Sequence, residues 1–259
     1  MKLGFVGAGN MATGIARGLA AAREEPGAPE AMLFADANHD RARKLAEEIG
    51  GTAVDSNRAL AEKADLVVLA VKPNVLEAVA EDLVQAGKPV VSILAGTSLE
   101  RLTEAMPGLE LVRVMPNLGA QLRQAVLCVV FPEDLPDDQR RRVRELLGLL
   151  GDVIKIDEGL IDAATALMGC SPGYLALMAE VLVEAGVEEG LTEDQARRMV
   201  ARSMAATGGL LDLHEPAALK RAVASPGGMT EAGLNVLEER SIRVTLLAAV
   251  DASLERVRG

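Results

Sequence analysis

Short aliphatic runs alternate with amphipathic stretches in the first part of the chain. Four such pairs follow one another: KLGFV with residues 11–22, MLFA with 40–49, LVVLAV with 75–85, and PVVSIL with 99–106. Strands that alternate with helices form parallel sheets covered by helices on both faces. The runs show no polar alternation, as expected for strands buried on both sides. The pattern predicts an α/β fold with a parallel sheet.

The alternation continues to residue 157 and then stops. Further strands are predicted at LELVRV, AVLCVVF and DVIKI, and a further helix at RRVRELLGLL. Thr192, followed by two acidic residues, is a typical helix N-cap, and Gly190 suits the end of the preceding helix. Beyond residue 157 the pattern predicts only helices, at 160–168, 172–188, 192–211, 216–223, 230–239 and 242–257. We therefore expect an α/β domain at 1–157 and an all-helical domain at 158–259.

Several of the predicted helices are apolar on more than one face. The segments LALMAEVLVEAGV and VTLLAAVDASL are examples. Such surface is covered either by a partner chain or by other helices of the same chain. We expect a homodimer formed through the helical domain, with burial inside one chain as the alternative.

Composition and charge exclude several classes of function. Apolar residues make up 49% of the chain but aromatic residues only 2%, which disfavours a protein that stacks single-stranded bases on aromatic rings. The net charge of -11 has the wrong sign for binding a phosphate backbone. We expect no nucleic-acid partner.

The supply of histidine and cysteine disfavours a metal site and a disulfide framework. The chain has two histidines and two cysteines, and free thiols are typical of a reducing compartment. Glycines interrupt the first apolar run before a signal-peptide core forms, and no run approaches the ~20 apolar residues of a membrane span. We expect a soluble cytoplasmic protein with no membrane partner.

The segment GFVGAGNMATG joins the first strand to the first helix. Gly7 permits the tight turn, and Gly9 lets the main chain approach a pyrophosphate held by the helix N-terminus. Ala12 replaces the third glycine of the pattern, a replacement that the pattern tolerates. Because the motif lies between a strand and a helix, it predicts a dinucleotide site.

Asp36 follows the second strand, where the adenosine ribose would lie. Its carboxylate can accept hydrogen bonds from both ribose hydroxyls and would repel a 2'-phosphate, which favours NADH over NADPH. Two alternatives stay open. Asp36 could be a solvated turn residue, and Asn38, His39 and Arg41 could turn toward a phosphate.

Three loops are expected to border the nicotinamide. The segment AVKPN closes one strand, LAGTS follows the next, and RVMPN ends the strand after that. Ligands of open α/β sheets bind beyond the carboxyl ends of the strands. Lys72 is either a phosphate contact or a solvated charge.

The segment SPGGMTEAGLNVLE in the helical part leaves several amides without helix partners just before a helix begins. Such amides can bind a carboxylate, and Thr230 adds a hydroxyl there. The alternative is a turn that only connects two helices.

The chain resembles the pyrroline-5-carboxylate reductase family over nearly its whole length. The matching elements, in order, are GFVGAGNMA, AVKP, the AGTS loop, RVMPN, GCSPGY, ASPGGMT with AGL, and AAVDASLERV. The resemblance implies a Rossmann-type dinucleotide-binding domain and a helical domain that interlocks two chains. It also implies reduction of the imino acid 1-pyrroline-5-carboxylate to L-proline by NADH or NADPH, the last step of proline biosynthesis.

The resemblance also implies functional residues. The expected substrate contacts are Ser225, Gly227, Gly228, Met229 and Thr230, with Thr230 as the catalytic residue and the amides of Gly228 and Met229 on the substrate carboxylate. The expected cofactor contacts, with Asp36 added from its position, are Val6, Gly7, Ala8, Gly9, Asn10, Met11, Asp36, Asn57, Ala70, Val71, Lys72, Pro73, Ala95 and Gly96.

The chain departs from the family pattern at several points near these residues. Leu118 and Gly119 follow MPN, Ala125 replaces a usual glycine, Cys170 and Ser171 replace a serine and a glycine, and Met229 replaces a small residue. The departures either repack aliphatic contacts or change the choice of imine. Cys170 is expected to be a small buried residue.

Two other functions remain as alternatives. A 3-hydroxyacid dehydrogenase has a similar layout but needs a lysine early in its helical domain, and this chain has no lysine between Lys155 and Lys220. The second alternative is a dinucleotide-binding sensor that has lost catalysis. Retention of Thr230 and the SPGG turn disfavours it.

Overall fold

The computed structural model describes residues 1–258, with Arg258 described by its backbone only. The contacts divide the chain into two compact units, Met1–Gly169 and Cys170–Arg256, and each is described by itself. The expected domain boundary near residue 157 precedes this division and stays a prediction.

The first unit contains one sheet of eight strands in the order β3-β2-β1-β4-β5-β6-β7-β8. Strands β1 to β6 are parallel, whereas β7 pairs antiparallel with β6 and β8 runs parallel to β7. The strands are β1 Lys2–Val6, β2 Ala31–Ala35, β3 Thr52–Ala53, β4 Leu66–Leu69, β5 Val90–Ser92, β6 Leu111–Pro116, β7 Ala125–Val130 and β8 Gly151–Lys155.

The expected parallel sheet is confirmed, and its last two strands add a detail that the pattern did not give, since they run opposite to the other six. Only a short 3-10 turn, Leu118–Leu122, joins β6 to β7. A parallel connection needs a crossover of about a dozen residues or more, so this link turns the chain back on itself.

Seven helices accompany the sheet. Two short elements, β3 and α3, are absent from the pattern-based prediction. Ser56 caps α3, since its hydroxyl accepts a hydrogen bond from the Ala59 amide at 3.1 Å. The helices are α1 Asn10–Ala21, α2 His39–Ile49, α3 Asn57–Lys63, α4 Leu76–Ala86, α5 Leu99–Ala105, α6 Asp137–Gly148 and α7 Ile161–Ala164, which continues into a π-helical turn, Thr165–Gly169.

The inner strands of the sheet are buried on both faces, as their unbroken apolar runs predict, whereas the edge strands β3 and β8 are largely exposed. Leu66 and Val68 of β4 pack into one aliphatic cluster, and Val67 and Leu69 pack into the other. This division follows from the alternation of side chains along a strand. It holds the carboxyl ends of the parallel strands in fixed positions for the site described below.

Gly18 of α1 lies against the 3-10 turn after β6. A Cβ at Gly18 would lie 2.1 Å from the Ala120 carbonyl oxygen and 2.6 Å from Cδ2 of Leu150. We expect Gly18→Ala to lower the free energy of unfolding by about 1–3 kcal/mol, measured by urea denaturation, because backbone must move. The control is Gly148→Ala, where a Cβ meets no atom within 4 Å. Equal stability of the two variants would contradict the prediction.

The second unit consists of helices α8 Ser171–Glu188, α9 Glu193–Leu211, α10 Pro216–Val223, α11 Met229–Glu239 and α12 Ile242–Arg258. Thr192 caps α9 with its hydroxyl and forms a reciprocal capping box with Gln195, as the sequence predicts for the N-cap. The Tyr174 hydroxyl joins α8 to α12 through Ser253 Oγ at 2.5 Å.

Little of this helical unit is buried within one chain. Among its described residues only Ala196 is fully buried. Large apolar side chains of α8 are more than half exposed, namely Leu175, Leu177, Val181 and Leu182. Several large apolar side chains exposed on one helix are typical of an interaction face.

The segment Glu158–Glu188 is long and apolar enough to cross a membrane, since its most apolar part has a mean hydropathy of 1.5, and only 6% of that part is buried. The expectation that no stretch approaches a membrane span is therefore wrong by length and composition. These two criteria are also met by a helix whose apolar face another chain covers.

Candidate active site

A cleft of about 430 Å³ lies at the carboxyl ends of β1, β2 and β4. Strand order reverses between β1 and β4, which is where open α/β sheets bind their ligands. The lining residues are Gly7, Gly9, Ala35, Asp36, Ala37, His39, Arg41, Asp55, Ser56, Asn57, Ala70, Val71, Lys72, Val75, Val79 and Asp82.

Gly7 forms the tight turn that ends β1. Its φ of +100° lies in the region that side chains disfavour, and its amide donates to the Ala35 carbonyl at 2.7 Å. A Cβ there would lie 2.6 Å from the Ala70 carbonyl oxygen. Glycine at this position therefore lets the ends of β1, β2 and β4 come together.

Gly9 precedes α1 and faces open space, since a Cβ there would meet no atom within 4 Å. The first helical hydrogen bond runs from the Thr13 amide to the Gly9 carbonyl at 2.9 Å, so the amides between them have no helical partner. Within residues 1–258, no side chain caps this helix start and no acid occupies its first turn. The arrangement suits a pyrophosphate.

Asp36 connects the glycine turn to the end of β2. Its Oδ2 accepts from the Ala8 amide and its Oδ1 from the Asn38 amide, both at 2.8 Å. Arg41 Nη1 lies 3.6 Å from Oδ2, and the Asp36 side chain is 11% exposed. Each carboxylate oxygen can accept a second hydrogen bond, so Asp36 keeps acceptor capacity for ribose hydroxyls.

The cleft brings together part of the expected cofactor set. Val6 and Ala8 are buried beneath it, Asn10 and Met11 begin α1, and Pro73 begins a 3-10 turn. Ala95 and Gly96 lie exposed after β5 and are not among the lining residues. The expected residues that line the cleft are Gly7, Gly9, Asp36, Asn57, Ala70, Val71 and Lys72. The individual assignments stay predictions.

The cleft also contains residues that pattern reasoning missed. Asp55 and Ser56 line the cleft because they follow the carboxyl end of β3. They were not predicted because β3 is only two residues long. Val75, Val79 and Asp82 line the cleft from α4 and the 3-10 turn before it. The available signal was Ser56 as the N-cap of α3, since the strand before it is too short to show a pattern.

Asn117 holds together the loops around the end of β6. Its Oδ1 accepts from the amides of Gly119 and Val126, both at 3.2 Å, and its Nδ2 donates to the Met168 carbonyl at 3.1 Å. Met168 belongs to the π-helical turn. Short π-helical turns inside α-helices occur often at functional sites.

In the second unit, the SPGG turn leads directly into α11. Gly227 has a φ of +70°, and its amide donates to Glu231 Oε2 at 2.7 Å. The Gly228 amide donates to the Ser225 carbonyl at 2.9 Å. The expectation that the Gly228 amide is free for a carboxylate is therefore corrected, because the turn itself uses that amide.

The amides that lack a helical partner are those at the start of α11. The first helical bond of this helix runs from the Ala232 amide to the Gly228 carbonyl at 3.1 Å. The amides of Met229 and Thr230 thus precede it. Both side chains are exposed, that of Met229 at 94%.

The two cysteines differ in environment. Cys128 of β7 is buried, and burial raises the pKa of its thiol, so the thiol stays protonated and packs as an apolar group. Cys170, expected to be buried, is instead half-buried. Among the described residues, no group of three His, Cys, Asp or Glu side chains could hold a metal ion.

Comparisons with known proteins agree with this layout. A family model described as pyrroline-5-carboxylate reductase dimerisation matches residues 158–259, and one described as NADP oxidoreductase coenzyme F420-dependent matches residues 2–96. The pyrroline-5-carboxylate reductase of Thermus thermophilus is 35% identical over 99% of this chain and 97% of its own length.

Solved structures show the same similarity over the whole chain. The 1-pyrroline-5-carboxylate reductase of Streptococcus pyogenes has a TM-score of 0.89 and 32% identity, covering 99% of this chain and 98% of its own. The pyrroline carboxylate reductase of Plasmodium falciparum, solved with NADP bound, has a TM-score of 0.86 and 27% identity, covering 99% and 97%.

Proposed function

Because the chain belongs to the pyrroline-5-carboxylate reductase family, we propose that it reduces 1-pyrroline-5-carboxylate to L-proline with NADH or NADPH. The observation that carries the proposal is the cleft in which Gly9 and the uncapped start of α1 lie beside Asp36. These groups match two neighbouring parts of a dinucleotide, its central pyrophosphate and its adenosine ribose.

The residues of the cleft would hold the cofactor by its phosphates and its ribose. The amides at the start of α1 would bind the pyrophosphate, and Asp36 would accept from the ribose hydroxyls. A reduced nicotinamide supplies the hydride that adds to the imine carbon, and the imine nitrogen gains a proton, which together convert C=N to CH–NH.

The turn before α11 would hold the imino acid. The Met229 and Thr230 amides, free of helical partners, would bind the substrate carboxylate. The Thr230 hydroxyl would donate a hydrogen bond to the imine nitrogen, which makes the carbon a better hydride acceptor. Holding the substrate in a fixed orientation would supply much of the rate gain.

The direct test is an assay of NADH and NADPH oxidation by the purified protein with and without 1-pyrroline-5-carboxylate. We expect oxidation only when the imino acid is present. Cofactor binding without turnover would favour the sensor alternative. Turnover with 3-hydroxy acids and oxidised cofactor, and none with the imine, would favour the dehydrogenase alternative.

The choice between the two cofactors depends on Asp36. We propose that NADH is used at least as well as NADPH, because the carboxylate would repel a 2'-phosphate. We expect Asp36→Asn to lower the ratio of kcat/KM for NADH to that for NADPH by about tenfold, which corresponds to ~1.4 kcal/mol. The measurement is steady-state kinetics with each cofactor.

The matched control for this prediction is Asp40→Asn. Asp40 is an exposed acid in the first turn of α2, paired with Arg43 and outside the cleft lining. The same loss of charge there should leave the ratio of kcat/KM for NADH to that for NADPH unchanged.

Arg41→Ala should lower kcat/KM for NADPH more than that for NADH, because Arg41 lines the cleft as a cation. A wild-type enzyme with a large preference for NADPH would contradict the role given to Asp36.

We propose that a second copy of the chain covers the exposed apolar face of α8. The match of residues 158–259 to a dimerisation model and the exposed leucines and valines of α8 support a homodimer. The mass of the protein in solution, measured by light scattering, tests this assembly. We further propose that the enzyme works in the cytoplasm; binding to lipid vesicles at the expense of the dimer would contradict that.

A further inference from the structure

Arg113 is a buried charged residue that the proposed reaction does not use. It lies on β6 with its side chain 5% exposed, and its Nη1 donates to Glu158 Oε1 at 2.8 Å. Among the described residues its Nε has no acceptor. A buried charge is stable only when it is paired, so Glu158 is what makes Arg113 acceptable at this position.

The same oxygen of Glu158 also holds the start of α5. Glu158 Oε1 accepts from the Leu99 amide at 2.6 Å, and Leu99 is the first residue of that helix. Residues 95–98 form the loop that leads into it. One carboxylate oxygen therefore joins the end of this loop to the buried guanidinium of β6.

The first half of the loop that Glu158 anchors is held by a long hydrogen bond, in which the hydroxyl of the buried Thr97 donates to the Ala95 carbonyl at 3.5 Å. Gly96 has a φ of +65° and is exposed together with Ala95. At the other end of the loop, the Ser98 hydroxyl accepts from the Arg101 amide at 3.1 Å. The carboxylate of Glu158 arrives from the segment after β8, remote in sequence, and so restrains the end of the loop with respect to the sheet.

We propose that Glu158, held by Arg113, is a positioning residue that sets loop 95–98 against the nicotinamide end of the cofactor. The inference rests on the proposed function, since it assigns this loop to the nicotinamide. The carboxyl end of β5 neighbours that of β4, whose following residues line the cofactor cleft. Glu158 itself acts through Leu99 and touches no reacting atom.

The test compares NADH with ADP-ribose, which has the adenosine and the pyrophosphate but no nicotinamide. The variant is Glu158→Gln, which keeps an oxygen for the Leu99 amide and removes the charge that pairs with Arg113. We expect the ADP-ribose dissociation constant to stay within about twofold. The advantage of NADH over ADP-ribose, defined as the ratio of the ADP-ribose dissociation constant to that of NADH, should fall about tenfold. The constants are measured by calorimetric titration without substrate.

The rate of turnover gives the second readout. We expect kcat for the imino acid to fall about 10- to 100-fold in Glu158→Gln, since a shift of about 1 Å in a reacting group costs that much. The control is Glu104→Gln, an exposed acid of α5 that pairs with Arg101. Glu158→Asp keeps the charge but shortens the side chain, so its effects on kcat and on NADH binding should lie between those of the wild type and Glu158→Gln. If Glu158→Gln does not fold, the same measurements on Glu158→Asp test the proposal.

An unchanged advantage of NADH over ADP-ribose in both Glu158 variants would overturn the proposal. Equal weakening of both ligands would also overturn it, because that result indicates a general structural role. The ligand comparison needs no turnover. A wild-type protein that binds NADH better than ADP-ribose but does not reduce the imino acid would therefore refute the proposed reaction and still leave the role of Glu158 tested.

Discussion

Thr230→Ala is expected to lower kcat by about 100-fold or more while leaving the dissociation constant of NADH unchanged. The hydroxyl is proposed to donate a hydrogen bond to the imine nitrogen, and donors of this type contribute about 10²- to 10³-fold. Thr230 lies in α11 of the second unit, and the cofactor cleft is lined by residues of the first. The measurement is single-turnover kinetics together with a titration of NADH.

The matched control is Thr230→Ser, which keeps a hydroxyl at the same position. We expect this variant to retain most of the activity. Equal losses of kcat and of cofactor affinity in Thr230→Ala would show that the threonine is structural. Full activity of the alanine variant would refute its catalytic role.

Gly7→Ala is expected to weaken NADH binding by about 100-fold or more. A Cβ at this position would meet the Ala70 carbonyl oxygen at 2.6 Å, and the φ of +100° is unfavourable for alanine. The ends of β1 and β4 must then separate, which moves the start of α1 away from the pyrophosphate. Titration with NADH and a thermal melt of each variant measure the effect.

Gly87→Ala separates the backbone cost from the effect on the site. Gly87 ends α4 with a φ of +64°, and a Cβ there would meet no atom within 4 Å. We expect this variant to lose some stability and to bind NADH normally. If both alanine variants bound NADH equally well, the close approach at Gly7 would have no part in cofactor binding.

The sequence predicts most elements of this fold because their apolar patterns are strong. The run KLGFV coincides with β1, and residues 216–223 coincide with α10. The sequence does not predict strand β3, because two residues are too few for a pattern. The cleft residues Asp55 and Ser56, which follow β3, are missed for the same reason. The apolar pattern of a strand does not show its direction, and the signal for the reversal at β7 is the short link between β6 and β7.

The sequence predicts the parts of the candidate site in which a motif determines the backbone conformation. It does not predict the hydrogen bonds that individual side chains make in the site. The roles of Gly7 and Gly9 follow from a glycine pattern between a strand and a helix. The use of the Gly227 amide by Glu231 depends on the path of one side chain, and local spacing does not reveal it. The same holds for Glu158, whose partners Leu99 and Arg113 are distant in sequence.

The helical unit has few buried residues of its own, and Ala196 stands alone among the described positions. In the proposed homodimer, its folding would therefore be coupled to association with the second chain. By mass action, the melting temperature would then rise with protein concentration. Dilution alone would then unfold the helices. A subunit with a damaged helical surface would also leave the subunit that pairs with it less stable.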